Sequence, residues 1–305
     1  MSVRLSSAIA ASLLVIVPAL ASAQSLTFEK TVTVGASPSL DVSTGSGEVT
    51  VQGGSGNAMV IKGTVKVRTG WNVPSNAADL AQRLLANPPI TQSGDAVTVG
   101  KIADEDTRRA VSVSYQITVP APTAVQANSG SGSVSVTGVG GAVKANSGSG
   151  SVTAASIGGD VDLRTGSGDI SLKDGKKGAA LSTGSGSIQA TLSGQGDVKA
   201  NTGSGDISLT GVVGLLTAST GSGSIGVSGK PTGDWKVSAA SGNVTVDVPE
   251  EQGFSLDAST SSGSLDITAP LTVQGRIDRR RVQGTVHGGG PMLRLSTASG
   301  NIAVK

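Results

Sequence analysis

The side chains that could do chemistry in this sequence are few, and their spacing limits what they can be. His287 is the only histidine and cysteine is absent. A His-rich or thiolate metal site is therefore excluded, and a Ser-His-Asp set could be built only around that one imidazole. Its neighbours Gly288, Gly289 and Gly290 point to a turn instead. GSGSIG, residues 221–226, fits the dinucleotide-binding fingerprint letter for letter. No helix pattern follows to present its N-terminus to a pyrophosphate, so it reads as a repeat turn. TGSGDISL occurs at 165–172 and again at 202–209. Calcium rolls built on Gly and Asp need a nine-residue GGxGxDxUx period, and here acidic residues stand in only some turns. Asp160, Asp162, Arg164 and Asp169 come nearest to the clustered acid and base groups of an enzyme acting on polysaccharide. Threonine ladders of the TxT kind, which would suit ice, are absent.

One charge cluster stands out, in QGRIDRRRVQGTVHGGG at 274–290. Arg276, Arg279, Arg280 and Arg281 could grip anionic sugars, lipid head groups or phosphates through their bidentate forks. The alternative is a solvated loop whose charge Asp278 and neighbouring carboxylates offset. Elsewhere charges are scattered and the net charge is +2, which gives no field for wrapping nucleic acid. Aromatic residues make up only 2% while Gly reaches 45 residues, a bias toward repeats rather than aromatic-rich pockets.

The elements that must carry these residues follow from the glycines. GSG-like turns centre on Gly47, Gly132, Gly150, Gly168, Gly186, Gly205, Gly223, Gly242, Gly263 and Gly300. From Gly132 to Gly242 the steps are 18, 18, 18, 19, 18 and 19 residues. Seven and five residues before each glycine, and two and four after it, the residue is always apolar. Four columns at ten glycines make forty positions, in a chain only 37% hydrophobic, so a disordered Gly/Ser linker is ruled out. Alternation with period two is strand. Each unit is thus two short strands with aliphatic residues inward and Ser, Thr, Asn, Lys or Asp outward. Stacked units make an all-β, single-domain flattened β-solenoid, a β-helix with rungs of about 18 residues.

Turn chemistry completes the unit. Gly132, Gly150, Gly168, Gly186, Gly205 and Gly223 are expected to be structural, because glycine alone takes positive φ without a Cβ penalty. The Ser, Asp or Asn just after each can bond a neighbouring backbone group. With strands about 4.8 Å apart, ten rungs would span on the order of 50 Å.

The pattern breaks twice. Residues 52–120 form a less regular N-terminal part with several strand-like runs and one short helix over 76–86. The apolar side of that helix, Ala77, Leu80, Ala81, Leu84 and Leu85, would lie as a lid over the first rungs. Residues 121–305 carry the regular repeats, interrupted by the basic loop at 274–290. Ahead of everything, Arg4, the apolar run 8–20 and Ala21-Ser22-Ala23 read as a secretory signal peptide, residues 1–23, leaving a domain from 24 to 305. That run is shorter than a membrane span needs. The mature chain is therefore expected to lack a transmembrane segment and to sit in the periplasm, on the cell surface or outside the cell.

VSVSYQITVPAPTAVQANSGSGSVSVTGVGGAVKANSGSGSV, residues 111–152, resembles a bacterial putative-adhesin family of unknown function (DUF4097-like), in which a strand ending in Val-Pro leads into GSG-centred repeats. The resemblance runs from about Leu26 to Lys305. It implies a right-handed coil related in shape to pectate-lyase folds, export, and no catalytic residues to carry over. Three readings stay open: a non-enzymatic binding, adhesion or envelope module taking surface glycans or another envelope protein; an enzyme acting on polysaccharide; and a scaffold pairing through a terminal strand near Ile302-Ala303-Val304. No cofactor or nucleic acid is expected, and the oligomeric state is open.

Overall fold

Alternation in each repeat becomes strand, and the stacking of repeats becomes one sheet wrapped into a coil. Residues 26–273 and 279–305 are described by the structure, a computed structural model. The predicted signal peptide and Arg276 lie outside the described residues. Those described form 25 strands and two short helices in a continuous sheet. Each rung places one strand on a first face and the next on a second, and the faces enclose the aliphatic columns. Val143–Ser147, for example, pairs in parallel with Ala124–Ser129 on one side and Val161–Thr165 on the other. Val152–Ile157 does the same between Val134–Thr137 and Ile170–Gly175.

Register follows the glycine alignment. Ile170 pairs with Ile188 and Ile188 with Ile207, and each is 1% exposed. Of the forty column positions, all are buried except Leu265 and Ile267, which are half-buried. Those two belong to Leu265–Ile267, which among the described residues pairs on one edge alone, with Ile302–Val304. A final rung has no successor to cover it.

The order of rungs in space departs from their order in sequence. Met292–Ser299 lies between Ile225–Ser241 and Phe254–Ser262. Ile302–Val304 lies between Val244–Asp247 and Leu265–Ile267. The last repeat of the chain is therefore the penultimate rung of the coil. An exposed terminal strand at Ile302-Ala303-Val304 is overturned, because both its edges are paired.

At the opposite end, residues 52–120 supply a rung of their own. Ala96–Val99 pairs in parallel with Ser39–Thr44, and Val111–Pro120 with Val49–Gly54. Beyond that rung the sheet turns antiparallel: Val111–Pro120 to Ala58–Val67, and Ala58–Val67 to Leu26–Thr33. The helix Ala77–Ala86 buries Ala77, Leu80, Ala81 and Leu84. It packs on these antiparallel strands and on a second helix, Glu105–Ala110, rather than over the GSG rungs. That second helix was not expected. Its six residues are too few to show periodicity, and its local signal is Asp104, which caps the N-terminus by accepting from the Thr107 backbone N–H at 2.8 Å.

Candidate binding groove

The turn glycines come first, because they set how closely the rungs stack. A Cβ at Gly132, Gly150, Gly168, Gly186, Gly205 or Gly223 would lie 1.9 to 2.4 Å from the carbonyl oxygen of the matching glycine one rung before. Positive φ is not the common cause: it appears at Gly205 (146°) and Gly223 (143°) but at none of the four earlier glycines. Close backbone approach is what excludes a side chain along the whole column.

Three residues before eight of the ten turn glycines stands a buried hydroxyl that faces inward rather than to water. Ser129, Ser147, Thr165, Thr183, Thr202, Thr220, Thr260 and Thr297 are all buried. Thr183 Oγ1 donates to the Gly168 carbonyl of the preceding rung at 2.8 Å and accepts from the Gly186 N–H at 3.2 Å. Ser147 repeats this with Gly132 and Gly150. Position 239 holds Ala in this column. The residue just after the turn bonds across rungs as well: Asp169 Oδ1 accepts from the Ser187 N–H at 2.8 Å and Asp206 Oδ1 from Ser224 at 2.7 Å. The acidic residues of TGSGDISL are thus engaged with backbone, and no group of three metal-ligating side chains exists among the described residues.

The described ionic side chains singled out from sequence, Asp169 apart, fall on the first face and its cap. Within the basic segment, Arg281–Val286 is strand: it runs antiparallel to Phe254–Ser262 and covers that edge. Arg279 and Arg280 form the turn before it. Arg281 is engaged, donating Nε and Nη2 to the two Asp257 oxygens at 3.1 and 3.0 Å. That pairing holds the Asp257 carboxyl below its ordinary range. His287 sits in the following turn with φ 49°.

A groove of about 910 Å³ crosses the starting ends of eight first-face strands, from Ala96–Val99 through Ser39–Thr44 to the second half of Ile207–Ser222. Seven strand spacings make it on the order of 34 Å long. Outward side chains on either side of each inward residue form its walls. Small ones at Ala124, Ala142, Gly178 and Ala180 leave the floor open, while Asp160, Asp162, Asp197, Lys144 and Lys199 supply charge. Asp162 is held by Arg164, which donates Nε and Nη2 at 2.8 and 3.0 Å, and Asp197 accepts from the Leu215 N–H at 3.2 Å. Asp41 pairs with Lys101 at 2.9 Å. Of the residues singled out from sequence, Asp160, Asp162 and Arg164 meet at this groove or its border, Asp169 faces the turn, and the described arginines of 276–281 stand at the far cap. Lys144, Asp197 and Lys199 escaped sequence reading because only stacking aligns residues 18 or 19 apart into one lane.

No curated protein matches the sequence. Solved structures similar to this chain include a putative adhesin from Bacteroides fragilis, at 11% identity and TM-score 0.39 over 93% of this chain and 99% of that one. Another is a putative adhesin from Parabacteroides distasonis, at 14% identity and TM-score 0.37 over 93% and 98%. A putative cell adhesion protein from Clostridium sporogenes is similar at 12% identity and TM-score 0.28 over 91% and 98%. With a match that extends over residues 19–305, the chain belongs to the family described as Toastrack DUF4097.

Proposed function

We propose that the protein is an exported, non-enzymatic binding module of the cell envelope that holds an extended, hydroxyl-rich polymer, such as a surface glycan, along the first-face groove. The observation that carries this reading is the groove itself, a lane open to solvent that crosses eight strands. Its length suits a linear chain better than a compact molecule. Its chemistry is mixed: carboxylates and backbone groups accept, Lys144 and Lys199 donate, and the small apolar floor admits the flat face of a sugar ring. With Asp41 and Asp162 already paired, the lane carries no strong net charge, which fits a neutral or weakly charged polymer. Export rests on the signal-like segment at 1–23, and no helix among the described residues is long and apolar enough to cross a membrane.

The test is glycan-array binding of residues 24–305. Replacing Lys144 and Lys199 together by Ala should remove binding, and replacing Arg279, Arg280 and Arg281 by Ser should leave it. The opposite pattern would move the site to the basic cap. Asp160, Asp162 and Asp197 in the same lane support a second reading, hydrolysis or elimination on a polysaccharide, and new reducing ends on incubation with a bound glycan would favour it.

A further inference from the structure

Along the groove and one rung beyond it, the outward side chains alternate in kind. The pairing of Val161, Ala179, Val198, Leu216 and Trp235 places these inward residues on five successive rungs of the first face. Just before them stand Asp160, Gly178, Asp197, Leu215 and Asp234, and just after them Asp162, Ala180, Lys199, Thr217 and Lys236. Charged rungs thus take turns with rungs that carry small or uncharged side chains. The three aspartates of the first wall are 37 residues apart in each step, which is two rungs. With strands about 4.8 Å apart, like groups recur about every 9.6 Å along the coil. The alternation begins at Asp160, since the rung before it carries Ala142 and Lys144.

Two of the charged rungs share a geometry. Asp197 Oδ1 accepts from the Leu215 N–H at 3.2 Å and Asp234 Oδ1 from the Met292 N–H at 3.0 Å, each donor lying on the next rung. These bonds fix both carboxylates and leave the second oxygen of each to accept from a ligand. Lys199 and Lys236, on the opposite wall, form no ion pair among the described residues. Each of these rungs therefore offers an acceptor on one side of the lane and a donor on the other. Leu215, between them, is 49% exposed. On the preceding uncharged rung, Gly178 and Ala180 leave the floor open.

We infer that this lane selects a ribbon-shaped glycan, whose pyranose rings are linked equatorially at both C1 and C4, and that it reads the two-ring repeat of that polymer. The inference rests on the groove being the glycan site. Bonds of about 1.5 Å make each ring advance an extended chain by about 5 Å, close to one strand spacing. Equatorial links at both ends keep the chain straight and turn successive rings over, so the same edge of the ring meets the same wall at every second ring. Every second rung is charged in the same sense. On those rungs the vicinal hydroxyls donate to the aspartate wall, while the ring oxygen and hydroxymethyl group accept from the lysines. The rings between lie on Leu215 or over Gly178 and Ala180. A chain bent by an axial link coils away from a straight lane. An extended peptide repeats its like-facing side chains about every 6.6 Å and falls out of step with the rungs.

Calorimetric titration of the purified chain with cellohexaose, β-1,4-mannohexaose and chitohexaose, which are ribbons, against maltohexaose and laminarihexaose, which coil, tests it. At least one ribbon should bind, about tenfold or more tighter than both coiled chains. Lys236→Met should weaken that ribbon by about tenfold, as loss of a hydrogen bond from a charged donor requires. Thr217→Lys combined with Lys236→Thr keeps the charge and moves the ammonium by one rung, so it should weaken binding as much. Both positions are exposed, and melting temperatures equal to the parent's would show the fold intact. Full affinity in that double variant would overturn the inference, because phase would then not matter. Preference for a coiled glycan that is lost when Lys144 and Lys199 are replaced would overturn it as well, while leaving the groove reading in place. Absence of binding by every glycan would end both.

Discussion

A hydroxyl three residues before most of the turn glycines joins consecutive rungs through a buried bond to a carbonyl, so its loss should be felt at the level of single residues. Thr183→Val keeps the shape and removes the bond, leaving the Gly168 carbonyl and Gly186 N–H without that partner. It is expected to destabilise by about 1–3 kcal/mol in urea unfolding. Ala239 is the gap in that column, in register with Thr220 on one side and Thr297 on the other. Ala239→Thr should supply the missing hydroxyl to Gly223 and raise stability by roughly 0.5–1.5 kcal/mol. Gly186→Ala runs the other way. A Cβ 2.0 Å from the Gly168 oxygen cannot be absorbed by a rotamer change, and a loss of at least about 3 kcal/mol is expected.

Elements add a pH dependence and an order of assembly. The Arg281 strand is tied to the last first-face rung through Asp257, whose folded pKa is depressed by that guanidinium below the ordinary 3.8. A depressed carboxylate contributes its stability above the unfolded pKa and loses it as pH falls through the folded value. Melting temperature should therefore fall on acidification below about pH 4, and Asp257→Asn should flatten that limb while lowering stability at neutral pH. The inserted final repeat makes a sharper prediction. Truncation after Pro291 removes strands from between two rungs instead of from the end. Hydrogen exchange should then show loss of protection across residues 254–286 as well, and continued protection there would refute the interleaved order.

For the whole molecule the governing problem is the two ends of a coil of open strands. The first face ends in the short strands Ile90–Ser93 and Leu271–Thr272, and the second in Leu26–Thr33 and Leu265–Ile267. Antiparallel hairpins thus close three of the four ends, and the fourth is three residues long, which limits edge-to-edge association. Deleting 273–288 should uncover the nine-residue strand Phe254–Ser262 and raise the mass seen by light scattering. Only at this scale does the groove exist, since each rung contributes two or three residues to it.

The sequence by itself determined the coil. Aliphatic columns at fixed distances from the glycines can be buried together only by parallel stacking in register, and 38 of the 40 positions are buried accordingly. It also marked the residues 52–120 as irregular and the helix at Ala77–Ala86, whose apolar side repeats over enough turns to be visible. Tertiary structure decided what depends on neighbours distant along the chain. A glycine forced by close approach looks the same in sequence as one forced by positive φ, and a threonine turned inward looks like one turned outward. The position of the last repeat, the pairing of Arg281 with Asp257 and the joining of Lys144, Asp162 and Lys199 into one lane are contacts between residues 18 or more apart. Local propensity carries no record of such contacts, because the free energy that selects them comes from burial and hydrogen bonding in the assembled coil.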